Sequence, residues 1–181
     1  MIWGNLGFGS SHTKSVECIK FSKDANYIFS GSWDRKVIMW DLWQEGIIIK
    51  TIDGHQSLVQ SIAFNNEYNR MATGCWDLYV RFWKFEKITA IGEGTKLKGH
   101  KGRVNCVAFS KHGILASGSN DRCIILWNPT KNAILYILKG HGSWIRCLTF
   151  KYTGLVLSSI ADDDSIKFWD VAIGKNIQTI D

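Results

Sequence analysis

Proline is almost missing from this chain, with one residue, Pro129, among 181. Turns must therefore be made chiefly by its 17 glycines and by Asn, Asp and Ser, which reach turn conformations through left-handed backbone or local side-chain hydrogen bonds. No stretch of about 18 apolar residues is present, the length a membrane-spanning helix needs, and no segment sustains helical periodicity. The opening MIWGNLGFGSSH has neither a basic start nor a useful apolar run. No secretory leader is therefore expected, and a cytoplasmic or nuclear location is. The five cysteines include no Cys-x-x-Cys pair, and their odd number argues against a disulfide framework. Lys and Arg, 22 against 16 Asp and Glu, give a net charge of +6, but they are dispersed with no run longer than Arg35-Lys36. That distribution reads as solvated surface.

What the chain has instead is repetition. Four times a histidine is followed by an aspartate and, six positions after the aspartate, by a tryptophan: His12/Asp34/Trp40, His55/Asp77/Trp83, His100/Asp121/Trp127 and His141/Asp163/Trp169. The histidines step by 43, 45 and 41 residues, within the period expected of propellers and other repeat arrays. Each copy also has a phenylalanine nine residues after its histidine (Phe21, Phe64, Phe109, Phe150) and a hydroxyl four residues before its aspartate (Ser30, Thr73, Ser117, Ser159).

Within a copy, the short apolar alternations VIMW, VRFW, IILW and IKFW are bounded by turn-formers, which is a strand signal. Three further strands are expected per copy: one after the histidine, one before the Ser-Gly-Ser turn and one before the next Gly-His. The fold class is all-β, with four four-stranded antiparallel blades at residues 12–54, 55–99, 100–140 and 141–181. Residues 1–11, with Trp3, Leu6 and Phe8, are a candidate closing outer strand. The parity of a four-stranded meander brings the aspartate turn and the histidine loop to the same end.

The Gly-His before each repeat, the Ser-Gly-Ser-x-Asp turn and the terminal Trp-Asp at 40–41 and 169–170 resemble the WD-repeat β-propeller family over residues 12–181. Departures are Ser11 before His12, Lys84 after Trp83, Asn128 after Trp127 and Ile160 in place of the turn glycine. An indole donates only, a hydroxyl and a neutral imidazole each donate and accept, and a carboxylate accepts. The four groups can thus form one directional chain of hydrogen bonds, and the resemblance implies that this chain is the structural tetrad of each blade. A Ser/His/Asp hydrolase is the alternative. It requires one nucleophile at one oxyanion hole, whereas here the set recurs in every repeat and no Gly-x-Ser-x-Gly elbow exists. A non-enzymatic reading follows.

The same register sorts the remaining candidates. Cys18, Cys106 and Cys147 share one first-strand position and are expected to be buried; Cys75 aligns with Ser32, Ser119 and Ala161, and Cys123 with Lys36, Tyr79 and Ser165. Neither these residues nor the histidines, including His112 in a hairpin turn, converge as metal ligands, so no metal and no cofactor is expected. Trp33, Trp76, Asn120 and Asp162 stand at the crest of the turns, just before each aspartate, and Trp144 follows His141 by three residues. In the family this crest contacts protein partners, and large exposed aromatics are common interface anchors. Lys14, Lys101, Arg103 and Arg146 lie on or near the same end. They frame the alternative of a reader of phosphorylated or acidic peptide, or of nucleic acid, through Lys101, Arg103 and Arg146. Four repeats are fewer than the family's usual seven, so an incomplete or half propeller is expected, one that self-associates or uses flanking blades to close.

Overall fold

The computed structural model describes residues 11–22, 25–44, 46–65, 69–86 and 89–181. The extension expected as a closing strand lies, Ser11 apart, outside the described residues. Strands form where β-branched and aromatic side chains alternate, and no helix occurs among the described residues. The first sheet holds β1 (Val16–Phe21), β2 (Tyr27–Ser32), β3 (Val37–Asp41) and β4 (Ile48–Ile52). The second holds β5 (Val59–Asn65), β6 (Arg70–Cys75), β7 (Val80–Glu86) and β8 (Thr89–Leu97). The third holds β9 (Val104–Phe109), β10 (Leu115–Ser119), β11 (Ile124–Asn128) and β12 (Ala133–Leu138), and the fourth β13 (Ile145–Phe150), β14 (Val156–Ala161), β15 (Ile166–Asp170) and β16 (Lys175–Ile180). Each is an antiparallel meander in chain order.

The sheets stack through their first strands, β1 on β5, β5 on β9 and β9 on β13. The apolar core is accordingly divided into three layers, each shared by two neighbouring sheets. Phe29, Val37 and Met39 meet Val59, Met71 and Trp83 in the first layer. Ala72, Val80 and Phe82 meet Val104, Leu115 and Trp127 in the second, and Ala116, Ile124 and Leu126 meet Ile145, Leu157 and Trp169 in the third. On β11 the parity is plain: Ile125 and Trp127 face the second sheet while Ile124 and Leu126 face the fourth. Among the described residues the row does not close on itself. Ile19 (57% exposed) and Phe21 stay open on the first sheet, as do Ile160 (46% exposed) and Ile177 on the last.

Two local devices recur in the sheets. Every first strand carries a register shift after its first paired residue, at Val16/Cys18, Val59/Ser61 and Ile145/Cys147, and opposite Gly118/Ser119 in the third sheet. Glu17, Gln60, Asn105 and Arg146 are the extra residues, and such a bulge re-aims the side chain it frees. The glycine paired just beyond the bulge is where the next sheet seats. A Cβ on Gly31 would come 2.8 Å from Val59, on Gly74 3.0 Å from Val104 and on Gly118 2.5 Å from Ile145. Ile160 departs from this rule in the one sheet that has no successor packed on it, where its side chain meets no such obstacle.

Candidate functional site

Three of the four polar sets form a connected chain. In the third sheet the Trp127 indole donates to the Ser117 hydroxyl at 2.8 Å, Ser117 bonds His100 Nε2 at 2.7 Å, and His100 Nδ1 bonds the Asp121 carboxylate at 2.8 Å. A carboxylate only accepts, so Nδ1 carries the proton, and Nε2 accepts from the hydroxyl. The first sheet repeats this with Trp40, Ser30, His12 and Asp34 at 2.7 to 2.8 Å. The fourth does so with Trp169, Ser159, His141 and Asp163 at 2.7 to 2.9 Å. Each aspartate also accepts the backbone N–H after its histidine, from Thr13, Gln56, Lys101 and Gly142. Burial pushes the Asp121 carboxyl up, but the hydrogen bonds from His100 and from the Lys101 and Cys123 amides outweigh it and hold the group at about 2.

The second sheet is built differently. His55 still bonds Thr73 at 2.8 Å and Trp83 donates to Thr73 at 3.2 Å. Its Asp77, however, is held by Arg81, whose Nη atoms lie 3.1 and 2.7 Å from the two carboxylate oxygens. His55 Nδ1 is left buried without a hydrogen-bond partner. Burial, then the Arg81 charge, press the imidazole down to about 3 against the opposing pull of Asp77 and the Arg35 backbone. Arg81 is 1% exposed, and Ile38 and Ile125 stand at its register position. The cation therefore replaces the histidine as the partner of the carboxylate.

The tetrad hydroxyls cannot serve as nucleophiles in this arrangement. Ser30, Thr73, Ser117 and Ser159 are at most 4% exposed, so substrate cannot reach them, and each is held by an indole N–H. Their geometry fixes the turn above them instead. After each aspartate, Arg35, Leu78, Arg122 and Asp164 adopt a positive φ of 60 to 75°. The aspartate Oδ1 accepts the amide two residues on, at Lys36, Tyr79, Cys123 and Ser165, the local bond that supports such a turn. The crest residue before the aspartate is tied to the histidine loop by its backbone amide, Trp33 to Ser15, Trp76 to Leu58, Asn120 to Arg103 and Asp162 to Trp144, at 2.9 to 3.1 Å.

The crest side chains collect into one continuous ladder and one separate clamp. Trp33, 43% exposed, donates its indole N–H to Glu17 and meets Trp76 edge-on with ring centroids 5.3 Å apart. Arg103, from the next sheet, lays its guanidinium 4.1 Å from the Trp76 ring centroid. On the fourth sheet, Arg146 forks onto Asp162 with two bonds of 2.6 Å and lies 5.3 Å over the exposed Trp144 ring. Asn120 accepts from Asn105 at 2.6 Å, and Asn105 also reaches the Ile145 carbonyl at 2.8 Å, bridging to the fourth sheet. Lys101 lends its backbone amide to Asp121 and exposes its side chain. The three cations of the anion-reader alternative thus form no single unpaired set, because Arg146 is neutralised by Asp162 and Arg103 is stacked on Trp76.

Glu17, Asn105 and Arg81 were not singled out from the sequence. Glu17, Asn105 and Arg146 are the freed bulge residues, five positions after their histidines, and each meets the crest residue of its own sheet. The available signal was that pairing of register positions. One sequence expectation is corrected: Cys147 is exposed, whereas Cys106 is buried and Cys18 half-buried. The cause is position, since β13 has no further sheet over it of the kind that covers β9.

A family model described as WD domain, G-beta repeat matches residues 5–41, 46–84, 93–128 and 132–170. The chain is similar to the nuclear distribution protein nudF of Aspergillus niger, 26% identical over 195 residues covering 95% of this chain and 43% of that protein. It is also similar to the small ribosomal subunit protein RACK1y of Oryza sativa subsp. japonica, 37% identical over 177 residues covering 95% of this chain and 53% of that protein. The chain thus spans about half, or less, of the length of these relatives.

Proposed function

The chain belongs to the WD-repeat family, and we propose that it works as a non-enzymatic platform that binds a protein partner on the crest at the tetrad end. The observation that carries this reading is the ladder of Trp33, Trp76 and Arg103. An exposed indole, a half-buried one and an exposed guanidinium from three successive sheets are held side by side, each on a backbone anchored by a hydrogen-bonded turn. Aromatic and arginine side chains already ordered before binding give up little conformational entropy in a contact, and they are the residue types that dominate interface energetics. The Glu17 carboxylate and the Arg146–Asp162 clamp supply a polar margin around the apolar steps. The names of the two relatives point to different settings, so the reading rests on the shared architecture and not on a transferred partner.

Affinity capture from native lysate, with the chain and its Trp33→Ala/Trp76→Ala variant side by side, tests the proposal. The expected result is a partner retained by the parent and lost from the variant while both melt at similar temperatures. Retention by the variant would show that the crest is not the contact surface.

A further inference from the structure

At the end opposite the tetrads a cavity of about 240 Å³ lies between the second and third sheets. Arg70, the first residue of β6, enters it from the second sheet with its guanidinium carbon 5.4 Å from the Phe82 ring centroid. Phe82 in turn packs on Phe109 of the third sheet, ring centroids 6.4 Å apart. The Nε of Arg70 is buried and has no hydrogen-bond partner. No carboxylate pairs with Arg70 among the described residues, and no Asp or Glu lines the cavity. On the facing wall, the Thr130 hydroxyl and the Lys131 amide donate to the Asn128 side-chain oxygen, and the Asn128 amino group, with its two N–H donors, has no hydrogen-bond partner among the described residues. Ile114 and Pro129 complete the apolar lining, and Asn65 and His112 border it on the polar side.

The contact with the Phe82 ring is favourable but supplies no hydrogen bond, and a buried guanidinium donor left unsatisfied is costly. It is the arrangement expected of a site whose ligand brings the missing charge. We propose that this cavity binds a carboxylate carried on an apolar group, with the carboxylate on Arg70 and Asn128 and the apolar part against Phe82, Phe109 and Pro129. The guanidinium fork matches a planar carboxylate through two parallel hydrogen bonds. Arg70 is the one permanent cation of the lining and balances one negative charge, whereas a phosphate dianion would need a second positive charge, which only His112 could bring. The site shares no residue with the crest, so it stands independently of the partner surface proposed above.

The test titrates the whole chain with 3-phenylpropanoate by calorimetry, alongside 3-phenylpropanamide, inorganic phosphate and a short peptide ending in phenylalanine with a free carboxylate. The acid is expected to bind about tenfold or more tightly than the amide or phosphate. Arg70→Gln should abolish that preference. Asn128→Asp, which places a second carboxylate on the facing wall, should abolish it too and guards against misfolding of the first variant. A peptide that binds more tightly than the free acid identifies a chain end as the source, and the reverse order a small metabolite; both orders support the site. Equal binding of acid and amide, equal binding of phosphate, or undiminished binding by a folded Arg70→Gln variant would overturn it.

Discussion

Arg81, and not His55, holds the carboxylate of Asp77, at 2.7 Å. This gives one sheet of the four its own response to acid. The unfolded chain protonates His55 near 6.5, while the folded chain resists protonation until about 3. A depressed folded value means that the stability due to neutral His55 is complete above about 6.5 and is lost progressively as pH falls toward about 3. Arg81→Ile, which installs the residue found at positions 38 and 125, should return Asp77 to His55 and flatten that decline. Urea midpoints followed across this pH window, together with a His55 titration by NMR, check it; an unchanged slope would contradict the account.

In the third sheet, Ser117→Ala and Trp127→Phe should each cost about 1 to 3 kcal/mol, because each leaves a buried polar partner unsatisfied. The double variant should cost clearly less than the sum, since both remove parts of one network. Strictly additive losses in denaturant would mean that the hydrogen bonds act separately.

Gly118 and Ile160 occupy the same register position with opposite consequences. A methyl at Gly118 would meet Ile145 at 2.5 Å, so Gly118→Ala should destabilise by about 1 to 3 kcal/mol through overpacking. Ile160→Ala should change stability by no more than about 1 kcal/mol. A tolerated alanine at 118 would show that the stacked sheets can part without loss.

Timed alkylation of the native chain, read by mass spectrometry, should label Cys147 first. Cys75 and Cys106 should react only on unfolding, both being buried. Burial also pushes the Cys75 thiol up to about 11 and the Cys18 thiol up to about 12, which suppresses the reactive thiolate. Early labelling of Cys106 would place the third sheet's interface in a looser state than described.

The open apolar faces around Ile19 and Phe21 on one side and Ile160 and Ile177 on the other should drive the isolated chain to associate. Light scattering during gel filtration is expected to give a mass above 20.5 kDa. A dispersed monomer that melts cooperatively would rule this out.

The repeat period, the apolar alternation between turn-formers and the resemblance to the WD-repeat family together made the number of sheets and their strand order legible, because each depends on residue types at fixed spacing. The second sheet escaped that reasoning. His55, Thr73, Asp77 and Trp83 all stand in register, and only the depth at which Arg81 is buried reveals where the Asp77 carboxylate is spent. At the crest Trp33 and Trp144 are exposed but Trp76 is half-buried, because the contact of Trp33 with Trp76 joins two sheets, and spacing within one repeat says nothing of distance between repeats. Cys147 was misjudged for the same reason, since its register matches buried Cys106 and its neighbours do not.

The division of the apolar core into three shared layers has a bearing on how the molecule comes apart. The second and third sheets each own a share of two layers, the first and fourth a share of one. Stability in such a row is close to a sum of nearest-neighbour couplings, so the end sheets can fray while the middle pair persists. Amides of β6, β7, β10 and β11 should be the last to exchange with solvent. A species holding only the central layer, with the Arg70 cavity intact and both ends of the crest dissolved, is therefore expected between native and unfolded.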